Sequence, residues 1–139
     1  VKTVRDAELR VQVVDQRTSF DDNPDKFSLS VEKQQDELQQ KVIKAQEILN
    51  SVHMDDDLRL NISAICGELD VDGLRGDIVT NRASKAYAAL NGRNEVTVED
   101  IEKVITLCLR HRLRKDPLET IDSGDKVQKI FEEVFEIEE

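Results

Sequence analysis

The chain is poor in residues that interrupt regular structure, with five glycines and two prolines in 139 residues. That scarcity argues against a loop-rich all-β fold, whose tight turns need both. No apolar run approaches the ~20 residues required to cross a bilayer, so no membrane span is expected. Two cysteines, Cys66 and Cys108, form neither a metal motif nor a disulfide framework, which fits a reducing compartment. The opening residues, VKTVRDAELR, lack the apolar stretch of a secretory signal and a starting methionine, and they enter helical periodicity almost at once. The expectation is a segment from the C-terminal part of a longer protein.

Catalytic motifs are missing too. There is no G-x-x-x-x-G-K-[ST] loop and no hydrophobic strand ending in an acidic pair, so the segment by itself cannot cradle a nucleoside triphosphate and its magnesium. No Ser/His/Asp arrangement has a recognisable spacing. His53 and His111 stand isolated and read as surface or partly buried residues rather than catalysts.

What is present is charge and helical periodicity. Charged residues make up 36% and hydrophobic residues 38%, which suits a modest core under a well-solvated helical surface. The formal net charge of −10 makes duplex nucleic acid an unfavourable partner and confines any phosphate-binding patch to a local cluster.

Asp6 is placed to cap a first helix carrying Leu9, Val13 and Val14, and Asn23-Pro24 marks a break. From about Ser30 the sequence turns strongly helical. Val31, Leu38, Val42, Ala45, Leu49 and Val52 follow a seven-residue apolar repeat, with Gln35 in the missing place. This stripe reads as an arm that packs on its own chain or pairs with another subunit. A compact helical unit follows. One helix begins near Asp55–Asp57 with Leu58, Ile62, Ile65 and Leu69, and a second runs from about Leu74 to Leu90, closed by Asn91-Gly92. Thr97 and Asp100 resemble a capping box for a third, which extends through the basic run Arg110–Lys115 to Asp116-Pro117. A last helix starts near Ser123, and a few extended residues are expected at Asn94–Val96. The organisation read from this pattern is residues 1–24, a long helix over 25–54, and a helical domain over 55–139.

The stretch DGLRGDIVTNR holds Arg75 between Gly73 and Gly76 at the start of a helix. A helix N-terminus already carries partial positive charge, so a cation there is mildly unfavourable unless an anion is bound nearby. Gly73 and Gly76 let the backbone turn sharply and approach a ligand. The plainer alternative is a surface ion pair between Arg75 and Asp72 or Asp77. Arg82 lies seven residues on and can share the same helical face, as support for a nucleotide-facing network or subunit contact, or in an intradomain salt bridge. Arg110, Arg112, Arg114 and Lys115 form either a favourable helix C-terminus or a patch for a neighbouring subunit, with Asp116 and Glu119 able to close it. Cys66 and Cys108 lie on apolar stripes of two helices in one bundle. They read as separate buried thiols or, if their Cα atoms come within ~7 Å, as a redox pair answering to a dithiol reductant.

A helical unit with an Arg opening one helix, small residues Ala83, Ala86, Ala88 and Ala89 beyond it, and then VTVEDIEKVI resembles the helical lid of AAA+ ATPases, where such an Arg is called sensor 2. DAELRVQVVDQRTSFDDNP, GELDVDGLRGDIVTNRASKAYAALNGRNEVTVEDI and LCLRHRLRKDPLETIDSG together resemble the ATPase (I) subunits of the magnesium chelatase family. The resemblance implies an all-α fold: a lid bundle preceded by a long arm and by the last helix of a nucleotide-binding module. It also implies a hexameric ATPase using ATP and Mg²⁺ that drives Mg²⁺ insertion into protoporphyrin IX in chlorophyll biosynthesis, with D and H partner subunits. The implied location is a plastid stroma or a cyanobacterial cytoplasm. Arg75 would be the sensor contacting the ATP phosphates. The alternatives are the lid of a cobalt-chelatase or MoxR-like ATPase, and a structural helical interaction module.

Overall fold

The computed structural model describes residues 3–114, 118 and 120–136. It divides into two compact units, residues 1–41 and 42–139.

In the first unit Asp6 accepts a hydrogen bond from the Leu9 amide at 2.9 Å and opens α1 (Ala7–Asp22). This helix buries none of its residues, and Leu9, Val11, Val13 and Val14 are exposed. Asn23 closes it through its amide to the Ser19 carbonyl at 3.3 Å. The same residue caps α2 (Pro24–Ile48), its side-chain oxygen accepting from the Lys26 amide at 3.0 Å. The Asn23-Pro24 break is therefore a one-residue joint, and α2 begins at Pro24 rather than near Ser30. Proline is tolerated there because the first helical position needs no amide bond. The apolar repeat along α2 is only partly covered, with Val31 half-buried near its start. Leu38 and Val42 are exposed, Ala45 and Ile48 half-buried, and Val52 beyond the helix enclosed. The second compact unit starts at residue 42, within α2.

A single 3-10 turn, Leu49–Ser51, leads into four helices: α3 (Asp56–Glu68), α4 (Arg75–Leu90), α5 (Val98–Leu109) and α6 (Ser123–Val134). α4 packs on α5, α5 on α6, and α3 on both α4 and α6. Ile62 and Ile65 of α3, Ala88 of α4, Ile101, Ile105 and Leu109 of α5, and Val127 and Phe131 of α6 are wholly enclosed. The extended residues expected near Asn94–Val96 form a parallel bridge with His53, whose amide donates to Asn94 at 2.7 Å and whose carbonyl accepts from Val96 at 2.9 Å.

The joint between α4 and α5 is tightly specified. Gly92, at φ 73°, sends its amide to Ala89 at 2.9 Å, and the Arg93 amide reaches Ala88 at 3.0 Å, a left-handed helix ending that favours glycine. Arg93 then places its fork on Asp100, bidentate, with one bond at 2.7 Å. Asp100 in turn accepts from the Thr97 amide at 2.9 Å, the acidic half of the capping box. Burial by itself would raise the Asp100 carboxyl, but the Arg93 and Thr97 hydrogen bonds prevail and hold it below the usual range.

α5 stops at Leu109, short of the expected end at Asp116-Pro117. Leu109 is fully enclosed, and the chain turns directly after it, with the Arg112 amide bonding the Leu109 carbonyl at 2.8 Å. The basic run thus lies in the connection to α6, and its Lys115 and the neighbouring Asp116, Pro117 and Glu119 fall outside the described residues.

Candidate functional site

The site is built from the end of α3 and the start of α4. α3 ends with Asp70 in the left-handed region at φ 51°, its amide on Gly67 and the Val71 amide on Cys66, both at 3.1 Å. Asp stands where glycine is usual; its short polar side chain tolerates the conformation. Gly73 follows at φ 65°, with open space where a side chain would project, so its role is conformational. The chain then enters α4 with Arg75 as the first helical residue.

Gly76 has a different role from the one read in the sequence. It is buried, and a Cβ there would sit 2.8 Å from Val71 Cγ1 and 3.1 Å from Leu109 Cδ2. Its missing side chain is filled by this chain's own core, not by an approaching ligand.

Arg75 is exposed, and among the described residues its guanidinium has no ion-pair or hydrogen-bond partner. Of the two carboxylates that compete for it in the plainer reading, Asp72 is engaged elsewhere. Asp72 accepts from Arg114 Nη2 at 2.6 Å, and Arg114 Nη1 lies 3.7 Å from Asp70. Asp77 acts on the buried Cys66 thiol, raising it. A guanidinium left free beside unpaired helix amides is suited to an anion with several oxygens. Arg82, further along α4, is also exposed and without such a partner among the described residues.

The arginines of the basic run after α5 find partners within the chain. Arg112 Nε donates to the Cys108 carbonyl at 3.1 Å, Arg110 lies 3.9 Å from Asp122, and Arg114 holds the α3–α4 loop. The first of these satisfies a carbonyl at the helix C-terminus, one of the two roles read for the run. The Arg114 contact spans 42 residues, and no local signal in the sequence announces it.

Cys66 and Cys108 are buried free thiols. Burial first, then the Asp77 carboxylate, pushes Cys66 up to about 12, and Cys108 adds to the shift. Burial also raises Cys108, against smaller opposing effects of Thr80 and Arg112. Both thiols are protonated at neutral pH and make weak nucleophiles. His53 and His111 are exposed, and the described residues hold no cluster of His, Cys, Asp and Glu able to bind a metal ion. Among them, no helix is long and apolar enough to cross a membrane.

Of the small residues of α4, Ala88 and Ala89 are buried in the core. Ala83 and Ala86 line an apolar groove of about 400 Å³ with Val42, Ala45, Leu49 and Tyr87. The groove offers nothing for a phosphate.

Residues 59–130 match the family model described as AAA lid domain. Over its whole length the chain is 64% identical to the magnesium-chelatase subunit ChlI of Trieres chinensis, of which it covers 39%. It is 65% identical to that subunit from Olisthodiscus luteus over 98% of the chain and 41% of the relative. For Synechocystis sp. the figures are 61% identity, 97% of the chain and 38% of the relative. The chain thus spans about two fifths of the length of these relatives.

Proposed function

The chain belongs to the AAA lid domain family, and we propose that it is the nucleotide-sensing lid region of a magnesium-chelatase ATPase subunit. The whole protein would use ATP hydrolysis to drive insertion of Mg²⁺, its substrate, into protoporphyrin IX for chlorophyll synthesis. It would work as a homo-oligomeric, hexameric ring with the D and H subunits, in a plastid stroma or a cyanobacterial cytoplasm. The identity to chelatase subunits along the whole chain favours this over a cobalt-chelatase or MoxR-like relative.

The observation that carries the reading is the unpartnered Arg75 guanidinium at the start of α4, with acidic residues close by in sequence on both sides. Bound ATP would supply the phosphoryl group whose hydrolysis powers the assembly. Arg75 donates hydrogen bonds to phosphate oxygens and keeps its charge at every working pH. Gly73 gives the loop the left-handed turn that starts α4. Gly76 lets that first turn pack against Val71 and Leu109, so the guanidinium is mounted on a rigid base. Arg82 supplies a second free cation on α4. A charge-assisted hydrogen bond to phosphate is worth ~1.5–3 kcal/mol, enough to favour one lid arrangement by roughly tenfold or more.

In the full-length protein, Arg75→Ala should lower ATP hydrolysis by roughly tenfold or more while the circular-dichroism melt of this region stays unchanged. Turnover equal to the unsubstituted protein would reject the assignment. The chain alone, which has no phosphate-binding loop, should hydrolyse no ATP.

A further inference from the structure

Arg75 lies among three carboxylates of the same short stretch, Asp70, Asp72 and Asp77. Left to themselves they would act against a phosphate in two ways. They would lower the local potential, and Asp72 would offer the guanidinium a competing partner. The free state of Arg75 therefore needs an explanation.

The explanation is a residue far away in sequence. Arg114, in the connection after α5, donates to Asp72 Oδ1 at 2.6 Å and stands 3.7 Å from Asp70 Oδ2. The Asp72 hydrogen bond, then the charges of Asp72 and Asp70, raise the Arg114 pKa, and the guanidinium keeps its charge at every working pH. One fixed cation thus holds one carboxylate and lies close to a second. Asp77, on the other side in sequence, acts on the buried Cys66 thiol.

We propose that Arg114 is a positioning residue for Arg75: by holding Asp72 it keeps that carboxylate from pairing with Arg75, and so leaves the guanidinium free for a phosphate. This rests on the reading of Arg75 as the phosphate-binding residue. Arg114 never touches the nucleotide. Its contribution is exposed to solvent and of the size of a surface ion pair, and it weakens with salt.

The test uses ATP affinity of the full-length protein and the Arg75 Nε–H resonance of this chain. Arg114→Gln should weaken ATP binding about two- to fivefold at low salt, the scale of one exposed pair, and less at high salt. It should also shift the Arg75 Nε–H signal as Asp72 becomes its partner. The double variant Arg114→Gln/Asp72→Asn should restore both, because the competitor has then been removed. A purely structural role for Arg114 predicts no rescue, since the loop stays unlatched in the double variant. Failure of the rescue, or an Arg75 signal unmoved by Arg114→Gln, overturns the proposal. An Arg75→Ala arm separates the two levels. If that variant binds ATP normally, the phosphate reading itself has failed. If it binds weakly while Arg114→Gln binds normally, only the role of Arg114 has failed. Arg114 lies in an exposed connection, so its replacement is expected to leave the fold intact, which a circular-dichroism melt verifies.

Discussion

Asp70 and Cys66 bracket the loop before Arg75, and each leads to a measurement. Asp70 occupies a left-handed position at φ 51° where glycine has no steric penalty. Asp70→Gly should stabilise the chain by up to about 1 kcal/mol, seen as a higher urea midpoint. Since Asp72 keeps its bond to Arg114, ATP affinity of the full-length protein should stay within about twofold, the limit set by one weak exposed contact. Cys66, pushed up to about 12 and buried, should react with an alkylating reagent far more slowly in the native chain than in the urea-unfolded one. Raising the pH from 7 to 9 should accelerate labelling of the unfolded chain as its thiols ionise near their ordinary value, and leave native Cys66 slow. Fast native labelling at pH 7 would show a thiol more open than this packing allows.

Among the elements, the joint from α4 to α5 concentrates the acid sensitivity. The Asp100 carboxyl, almost fully enclosed, is held below its ordinary value by Arg93 and Thr97. A depressed carboxyl contributes stability that is present above the unfolded pKa of about 4 and is lost as pH falls through the folded one. The melting temperature should therefore drop below about pH 4, and Asp100→Asn should be destabilised at pH 7 with a flatter profile in that acid window. A variant with the same acid slope would place the sensitivity elsewhere. The start of α4 tests packing rather than charge. Gly76→Ala adds a Cβ 2.8 Å from Val71 Cγ1, and overpacking of this kind costs about 1–3 kcal/mol. The helix-propensity gain from glycine is about 1 kcal/mol at most, so a net loss of about 1 kcal/mol is expected in urea unfolding.

At the scale of the whole molecule, the helices were legible wherever their signals are local. Asp6, Asn91-Gly92 and the Thr97–Asp100 pair announce ends that the structure uses. Two boundaries escape the sequence because the decisive fact is positional or tertiary: beyond the break at Asn23, Pro24 opens the next helix directly rather than near Ser30, and Leu109 ends α5 because its burial fixes the turn that follows. The site divides the same way. Arg75 between its glycines stands out in the sequence. The inward packing of Gly76, and Asp72 turned toward Arg114 rather than Arg75, depend on residues brought together only by folding.

The same separation of local from tertiary bears on stability. Every enclosed apolar side chain of the core lies between Val52 and Phe131, and α1 encloses none. Residues 42–139 form a compact unit by themselves. Removing residues 1–41 should therefore leave a cooperatively unfolding domain, because hydrophobic burial is the dominant favourable term and none of the core is lost. The melting temperature should move by no more than a few degrees, the shift that about 1 kcal/mol produces in a domain of this size. The enthalpy of unfolding should fall through loss of helix alone. A broad, non-cooperative melt would mean that α1 and the exposed part of α2 stabilise the bundle. The free Arg75, held by loop contacts within residues 66–114, should keep its Nε–H resonance unchanged in the shortened chain.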